Sequence, residues 1–394
     1  MSTVTTINPS TGNPIETYIR LKQTQVNSYI EEANKTFQIW KNKSYDERAK
    51  LMNALADIFD ERNEEYAQLA TKEMGKTIVQ SRKEIEKCAK ICRYYAGHTS
   101  ELLADETVET EAIKSYVAFQ PLGVILAVMP WNFPFYQVIR FLAPALMAGN
   151  TGVLKHASNV QGCAFALEKA IEDAGFPKGT FTNLNVSSDV VESIIKNDHI
   201  VAVTLTGSAP AGQSVASIAG KYLKKTVLEL GGSDAYVVLE DADLEKATDL
   251  ATYGRLQNNG QTCIAAKRFI VLESIYDDFL KRFTEKMKAA KMGEPTDEEL
   301  FGPVASVIKA KNENHAIELA NNSKFGLGSG VITENKSRGE KVALQLEAGS
   351  SFVNKLVVSD PRLPFGGIKT SGYGRELSGY GIKEFTNTKS IWID

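Results

Sequence analysis

Four short segments hold residue types that can do chemistry together. In Asn259-Gly260-Gln261-Thr262-Cys263-Ile264-Ala265-Ala266-Lys267-Arg268 a thiol follows a glycine turn and precedes a strand, near positive charge. That is where a nucleophile of lowered pKa can sit, although a lone cysteine is more often buried packing. In Leu228-Glu229-Leu230-Gly231-Gly232 a carboxylate ends a strand between apolar neighbours. Partial burial raises such a pKa and suits Glu229 to general-base work; the plain alternative is a solvated or paired surface glutamate. In Pro130-Trp131-Asn132-Phe133-Pro134 a loop asparagine can donate amide hydrogens to a developing oxyanion, or simply make a turn.

The fourth segment, Leu205-Thr206-Gly207-Ser208-Ala209-Pro210-Ala211-Gly212, takes a strand into a helix. Free N–H groups and the helix dipole there can hold a pyrophosphate. It is not GxGxxG, and read alone it is more readily a turn with Ser208 as N-cap and Pro210 in the first helical turn. Together, however, an oxyanion donor, a dinucleotide cradle, a general base and a thiol are the parts of one reaction.

The elements that must position these groups can be read from periodicity. From Leu21 to Leu103 apolar residues such as Phe37, Trp40, Leu51, Leu55, Ile58 and Phe59 recur at helical spacing among charges. Asp46 with Ala49 makes a poor capping box. After Glu111 β-rich runs follow at Tyr116–Phe119, Val124–Val128 and Gly152–Leu154. Then helical 161–174, strand-like 180–185, helical 188–196, strand-like 200–205, helical 210–222 and strand-like 226–229 alternate, as in βαβ units of a parallel sheet. A second alternation follows the glycine pair Gly231-Gly232, the expected hinge. Its strands fall at 236–239, 268–272, 304–309 and 351–354, and its helices near 243–257 and 274–291.

With 394 residues, 43% hydrophobic and 24% charged, the chain can bury two sizeable cores and is not expected to be disordered. Its 45 basic and 48 acidic residues nearly balance, and no basic run carries interleaved aromatics, so no nucleic-acid partner is expected. Residues 1–12 lack the pattern of a secretory signal, and the longest apolar stretch, 123–130, is far short of the roughly 20 residues a membrane span needs. A cytoplasmic protein without membrane contact is expected. Cys88, Cys92, Cys163 and Cys263 show no metal-ligand or disulfide spacing. Cys88 and Cys92 are read as small packing residues of one helix rather than a redox pair.

The whole set resembles the aldehyde dehydrogenase superfamily nearly end to end. The likeness begins at Asn8-Pro9-Ser10-Thr11-Gly12 and includes Gly302-Pro303, Pro364-Phe365-Gly366-Gly367 and Ser371-Gly372. It implies that Cys263 attacks an aldehyde carbon, that Asn132 and the Cys263 N–H hold the oxyanion, and that hydride leaves for a nicotinamide. Glu229 then activates the water that hydrolyses the thioester. Trp131, Lys155, Gly207, Ser208, Glu299 and Phe301 match cofactor contacts.

NAD-preferring members commonly carry a glutamate three residues after the lysine. Here the segment is Lys155-His156-Ala157-Ser158, and Ser158 suits a 2′-phosphate, so NADP is expected over NAD. Arg140, in an apolar segment, needs an anion, either inside the protein or on the substrate. Members resembling this chain in KHAS and SDPRLPFGG are semialdehyde dehydrogenases that hold a substrate carboxylate with such an arginine and a serine like Ser359. Succinate semialdehyde is therefore the favoured substrate.

The fold implied is α/β, aldehyde dehydrogenase-like, with two parallel-sheet α/β domains plus a β oligomerisation arm. The cofactor domain is expected at 1–112 and 123–230 with a return segment at 373–384, and the catalytic domain at 231–372. The arm at 113–122 and 385–394 would pair subunits into a homodimer or homotetramer. Two departures stand out. Ala235 replaces a family proline. Only 36 positions (299 − 263) separate Cys263 from Glu299, where members carry roughly sixty residues more, enough for a helix and a few strands. A catalytically impaired, dinucleotide-binding relative is the alternative that this shortening near 293–299 raises.

Overall fold

The computed structural model describes residues 2–290 and 305–394. The helical spacing of the first hundred residues becomes four helices, Gln23–Trp40, Tyr45–Glu61, Asn63–Met74 and α1 (Ile78–Leu102). Their apolar stripes, including Trp40, Phe59, Tyr66 and Ile85, bury against α2 (Tyr136–Ala148) in one large core. The second of these helices is capped two residues earlier than Asp46: Ser44 Oγ accepts from Glu47 N at 3.2 Å, and Glu47 Oε2 accepts from Ser44 N at 2.8 Å. That reciprocal pair is the Ser-x-x-Glu box, present in the sequence and overlooked there. Cys88 and Cys92 are fully buried packing residues of α1.

The first sheet contains β1 (Val124–Met129), β2 (Thr151–His156), β3 (Phe181–Asn183), β4 (Ile200–Thr206) and β5 (Lys225–Glu229) in parallel. Helices cover both faces, so β1 reads as an almost unbroken apolar run, VILAVM. The second sheet contains β6 (Asp234–Val238), β7 (Ala266–Leu272), β8 (Ser306–Ala310), β9 (Gly328–Ile332) and β10 (Ser350–Val353) in the parallel order β8-β7-β6-β9-β10. Among the described residues β8 pairs with β7 alone. A short strand β11 (Gly372–Tyr373) returns antiparallel to β5, so the first sheet runs β11-β5-β4-β1-β2-β3.

That order places the site. The chain leaves β1 for β2 and β3 on one side, then comes back to the other side of β1 as β4. A crevice therefore opens at the carboxyl ends of β1 and β4, where ligands of open α/β sheets bind. The loop holding Trp131 and Asn132 leaves β1 there, and Gly207-Ser208 leaves β4 into helix α3 (Ala209–Lys221). On the second sheet, helices α4 (Leu244–Leu256) and α5 (Tyr276–Ala289) pack Ala247, Ala251, Phe279 and Phe283 into a core with Tyr236 and Phe269.

The strand elements at 114–121 and 386–393 pair antiparallel with each other, from Thr386 opposite Pro121 to Ile393 opposite Lys114. An N-terminal hairpin, Thr3–Ile7 with Pro14–Ile19, surrounds the Asn8–Gly12 segment and was not foreseen. No helix among the described residues is long and apolar enough to cross a membrane.

Candidate active site

Cys263 follows a turn built from consecutive left-handed residues, Asn258 (φ 55°), Asn259 (φ 55°) and Gly260 (φ 72°). Asparagine and glycine tolerate this conformation at low cost. Both asparagines are anchored on the N-terminal helical region: Asn258 N donates to Gln80 Oε1, and Asn259 Nδ2 donates to Gly75 O at 2.9 Å. From below, the buried Arg255 of α4 donates to Gly260 O at 2.7 Å and Ala266 O at 3.0 Å. Lys267 Nζ spans the glycine pair and Cys263, donating to Gly232 O at 2.6 Å and Cys263 O at 3.3 Å. The expected hinge is thus a close contact. A Cβ on Gly232 would lie 2.9 Å from Cys263 O.

Asn132 arrives from the other sheet. Its Nδ2 donates to Gln261 O at 2.8 Å, two residues before Cys263, and an amide nitrogen carries a second hydrogen that this contact leaves free. The loop itself is held on three sides. Asn258 Nδ2 and Lys76 Nζ donate to Asn132 O at 2.9 and 3.4 Å. Lys76 also contacts Glu84 in an ion pair with no exposed side-chain surface, and Glu84 Oε1 accepts from Phe135 N and Tyr136 N, both at 2.8 Å. His156, next to Lys155, closes the third side. Its Nδ1 accepts from Ala157 N at 2.9 Å, which assigns the hydrogen to Nε2, donating to Pro134 O at 2.8 Å. Burial pushes His156 down to about 4, so it remains neutral.

Glu229 ends β5 with 2% exposure and, among the described residues, no hydrogen-bond partner on either carboxylate oxygen. Burial raises its pKa well above the usual carboxylate range, and the neighbouring Glu376 adds to this against the opposing pull of Arg140. Space for the carboxylate comes from the PFGG segment, because a Cβ on Gly366 would lie 2.7 Å from Glu229 Oε1. The Cys263 thiol is also raised, chiefly by burial, with Arg140 opposing and Glu229 reinforcing the shift. The expectation of a lowered thiol pKa is therefore corrected. Desolvation outweighs the nearby positive charge, and Cys263 rests as a thiol.

Cys263 opens onto a cavity of about 110 Å³ that Lys87, Tyr136, Arg140, Ser359 and Phe365 also line. This is several-fold smaller than the roughly 300–1,000 Å³ that suits a drug-sized ligand, so only a short substrate fits. Arg140 is buried and in ion-pair contact with Glu376, with its guanidinium 4.8 Å from the centre of the Phe365 ring. Of the two readings the sequence allowed, the internal counter-ion is present. Ser359 Oγ accepts from Lys87 Nζ at 2.6 Å and from Tyr136 OH at 2.9 Å.

The cofactor rim differs in texture. Lys155 is half-buried at the end of β2, lowered in pKa by burial and then by Arg20, and Ser158 is exposed three residues on. Ser208 caps α3, accepting from Ala211 N at 3.4 Å, and Gly207 N donates to Glu229 O at 2.9 Å. Trp131 is 37% exposed on the same crevice. A lysine, two hydroxyls and a helix amino terminus, with no acidic residue from Lys155 to Ser158, form a donor set that fits a phosphorylated dinucleotide. Glu299 and Phe301 lie outside the described residues. Sequence reasoning passed over Lys76, Glu84, Lys87, Arg255 and Asn258. All but Lys87 act by holding the loops of other residues, and no local motif marks them.

The aldehyde dehydrogenase family model matches residues 1–299 and again 296–391, so the match breaks at 296–299. A probable NADP-dependent succinate-semialdehyde dehydrogenase of a Synechocystis strain is 45% identical over an alignment covering 99% of each chain. That alignment spans 451 positions, at least 57 (451 − 394) more than this chain can fill. An NADP-dependent succinate-semialdehyde dehydrogenase of Mycobacterium bovis is 44% identical over 99% of each chain. The crystal structure of the Streptococcus pyogenes succinic semialdehyde dehydrogenase with NADP+ superposes with a TM-score of 0.96 at 36% identity, covering 99% of each chain. The chain, with its Cys263 turn and its two parallel sheets, belongs to the aldehyde dehydrogenase family.

Proposed function

We propose that the protein oxidises succinate semialdehyde to succinate with NADP, using Cys263 as nucleophile, Asn132 as oxyanion donor and Glu229 as general base. The observation that carries this reading is convergence. Asn132 reaches the Cys263 turn from 129 residues away through a 2.8 Å hydrogen bond, and Glu229 acts electrostatically on the Cys263 thiol.

The thiol releases its proton to solvent and the sulfur adds to the aldehyde carbon, forming a thiohemiacetal whose oxyanion accepts a hydrogen bond from the free Asn132 N–H. Bound NADP supplies a hydride acceptor, held by Lys155, Ser158, Gly207, Ser208 and Trp131. Once the thioester is formed, Glu229 in its carboxylate form takes a proton from a water whose oxygen adds to the acyl carbon, the C–S bond breaks, the acid is released, and the sulfur leaves as thiolate or regains a proton as thiol. Burial makes Glu229 a stronger base than a solvated carboxylate. Arg140 holds Glu376, and Ser359 faces the cavity where a substrate carboxylate would lie.

The first sheet with residues 1–112, 123–230 and 373–384 is read as the cofactor domain, and 231–372 as the catalytic domain. The strand pair 114–121 and 386–393, with Trp392 50% exposed, is read as an arm that joins a second copy. Absorbance of reduced NADP formed with succinate semialdehyde tests the reaction. NADP binding without reduction would favour a catalytically silent relative, the reading supported by the break in the family match at 296–299.

A further inference from the structure

Lys267 sits at an irregularity in the second sheet. Ala266 lies opposite Asp234 and Arg268 opposite Ala235, so β7 holds one residue more than β6 over this stretch, and Lys267 has no counterpart across the pair. An extra residue of this kind re-aims a side chain. Here the ammonium lies between two carbonyls, Gly232 O at 2.6 Å and Cys263 O at 3.3 Å. Its three hydrogens can serve both, and without the cation the two converging oxygens would repel each other. Those carbonyls belong to the two halves of the site. Gly232 lies three residues beyond Glu229, in a segment pinned by Ser371: Leu230 N donates to Ser371 O at 3.0 Å, and Ser371 Oγ donates to Gly231 O at 2.8 Å. The gap from there to Cys263 has no slack, because a Cβ on Gly232 would lie 2.9 Å from Cys263 O.

We propose that Lys267 is a positioning residue that sets the spacing between Cys263 and the Glu229 segment for hydrolysis of the thioester. This rests on the reading that Cys263 and Glu229 act in succession, and it names the group that keeps both within reach of one water. Addition to the aldehyde and hydride transfer need Cys263, Asn132 and the cofactor. Hydrolysis alone needs Glu229 at a fixed distance from Cys263, so a loosened spacing slows the second half of the reaction more than the first. The neighbouring cation does not share this task. Arg268 donates to Ser233 O at 2.9 Å and to Leu319 O and Ala320 O, each at 3.0 Å, so of the two Lys267 is the one that reaches Cys263. Burial works against the Lys267 charge, and the buried Asp234 works to keep it.

The test separates the two half-reactions with succinate semialdehyde as substrate. The rate of the first turnover of NADP reduction, followed by stopped flow, reports formation of the acyl group on Cys263. Steady-state kcat falls below it when hydrolysis is the slower step. In Lys267→Met the ratio of first-turnover rate to kcat should rise roughly tenfold or more over wild type, since a displacement of about 1 Å can cost about a hundredfold in rate. Lys267→Arg, which keeps donors for both carbonyls, should restore most of the wild-type ratio. Equal losses in both rates, as a purely structural role gives, or no change in either, overturn this inference and leave the parent reading standing. A wild type that reduces no NADP overturns both. Should Lys267→Met fail to fold, Gly232→Ala tests the same gap, because its Cβ presses on Cys263 O. The ratio should rise there too, and an unchanged ratio contradicts the proposal.

Discussion

The loops that carry Asn132 and Cys263 and the rim that would carry the cofactor lie on one crevice but are built in opposite ways. Around Asn132 and Cys263 the supporting groups are buried and cross-linked: Lys76 with Glu84, Glu84 with two backbone amides, His156 with Pro134 and Arg255 with Gly260. At the rim, Ser158, Ser208 and Trp131 are exposed. A developing oxyanion needs placement to a fraction of an ångström, which only a locked network supplies. Choosing between two dinucleotides needs only a favourable or repulsive charge. Substitutions of the supporting groups in the first region should therefore cost stability and rate together, and substitutions at the rim should shift cofactor preference without costing stability.

Glu84→Gln gives the largest effect by this comparison. It leaves Lys76 buried without its counter-ion and should destabilise the protein by about 3–5 kcal/mol, read from urea unfolding. A loss below about 1 kcal/mol would show that the network is not what holds the loop. Asn132→Ala removes the donor but not the scaffold. It should lower kcat roughly 100- to 1,000-fold with little change in unfolding midpoint, and a loss expressed only in KM would remove Asn132 from the transition state. At the rim, Ser158→Glu should reduce the NADP-to-NAD ratio of kcat/KM about tenfold or more while leaving the unfolding curve in place. An unchanged ratio would break the cofactor reading.

The pH dependence is the mildest test. Both Cys263 and Glu229 must lose a proton to act, and burial raises both pKa values. The active forms therefore become populated only as pH rises, so kcat/KM for an uncharged aldehyde should climb from neutral into alkaline solution. A profile already flat at neutral pH would contradict the raised pair.

The residues proposed to react were legible in the sequence because each sits in a local pattern: a glycine turn before Cys263, a strand end at Glu229, a Pro-bounded loop at Asn132. The alternation of strands and helices was legible for the same reason, since periodicity is local. What holds those residues was not. Glu84 meets Phe135 across 51 positions, and Arg255 satisfies a turn with no charged partner among the described residues, so neither leaves a short-range trace. Lys87 looked like one more helix-face charge until the fold placed it beside Ser359, 272 positions away. The sign of the Cys263 shift was missed because nearby basic residues show in sequence and desolvation does not.

The central claim is that Cys263 and Glu229 act in succession on one substrate, and trapping the intermediate tests it most directly. Glu229→Gln, mixed with succinate semialdehyde and NADP and quenched in acid, should hold an acyl group on the peptide containing Cys263. Wild type should hold far less. An unmodified Cys263 peptide alongside reduced NADP, or an acyl group on Cys88, Cys92 or Cys163 instead, would contradict the account.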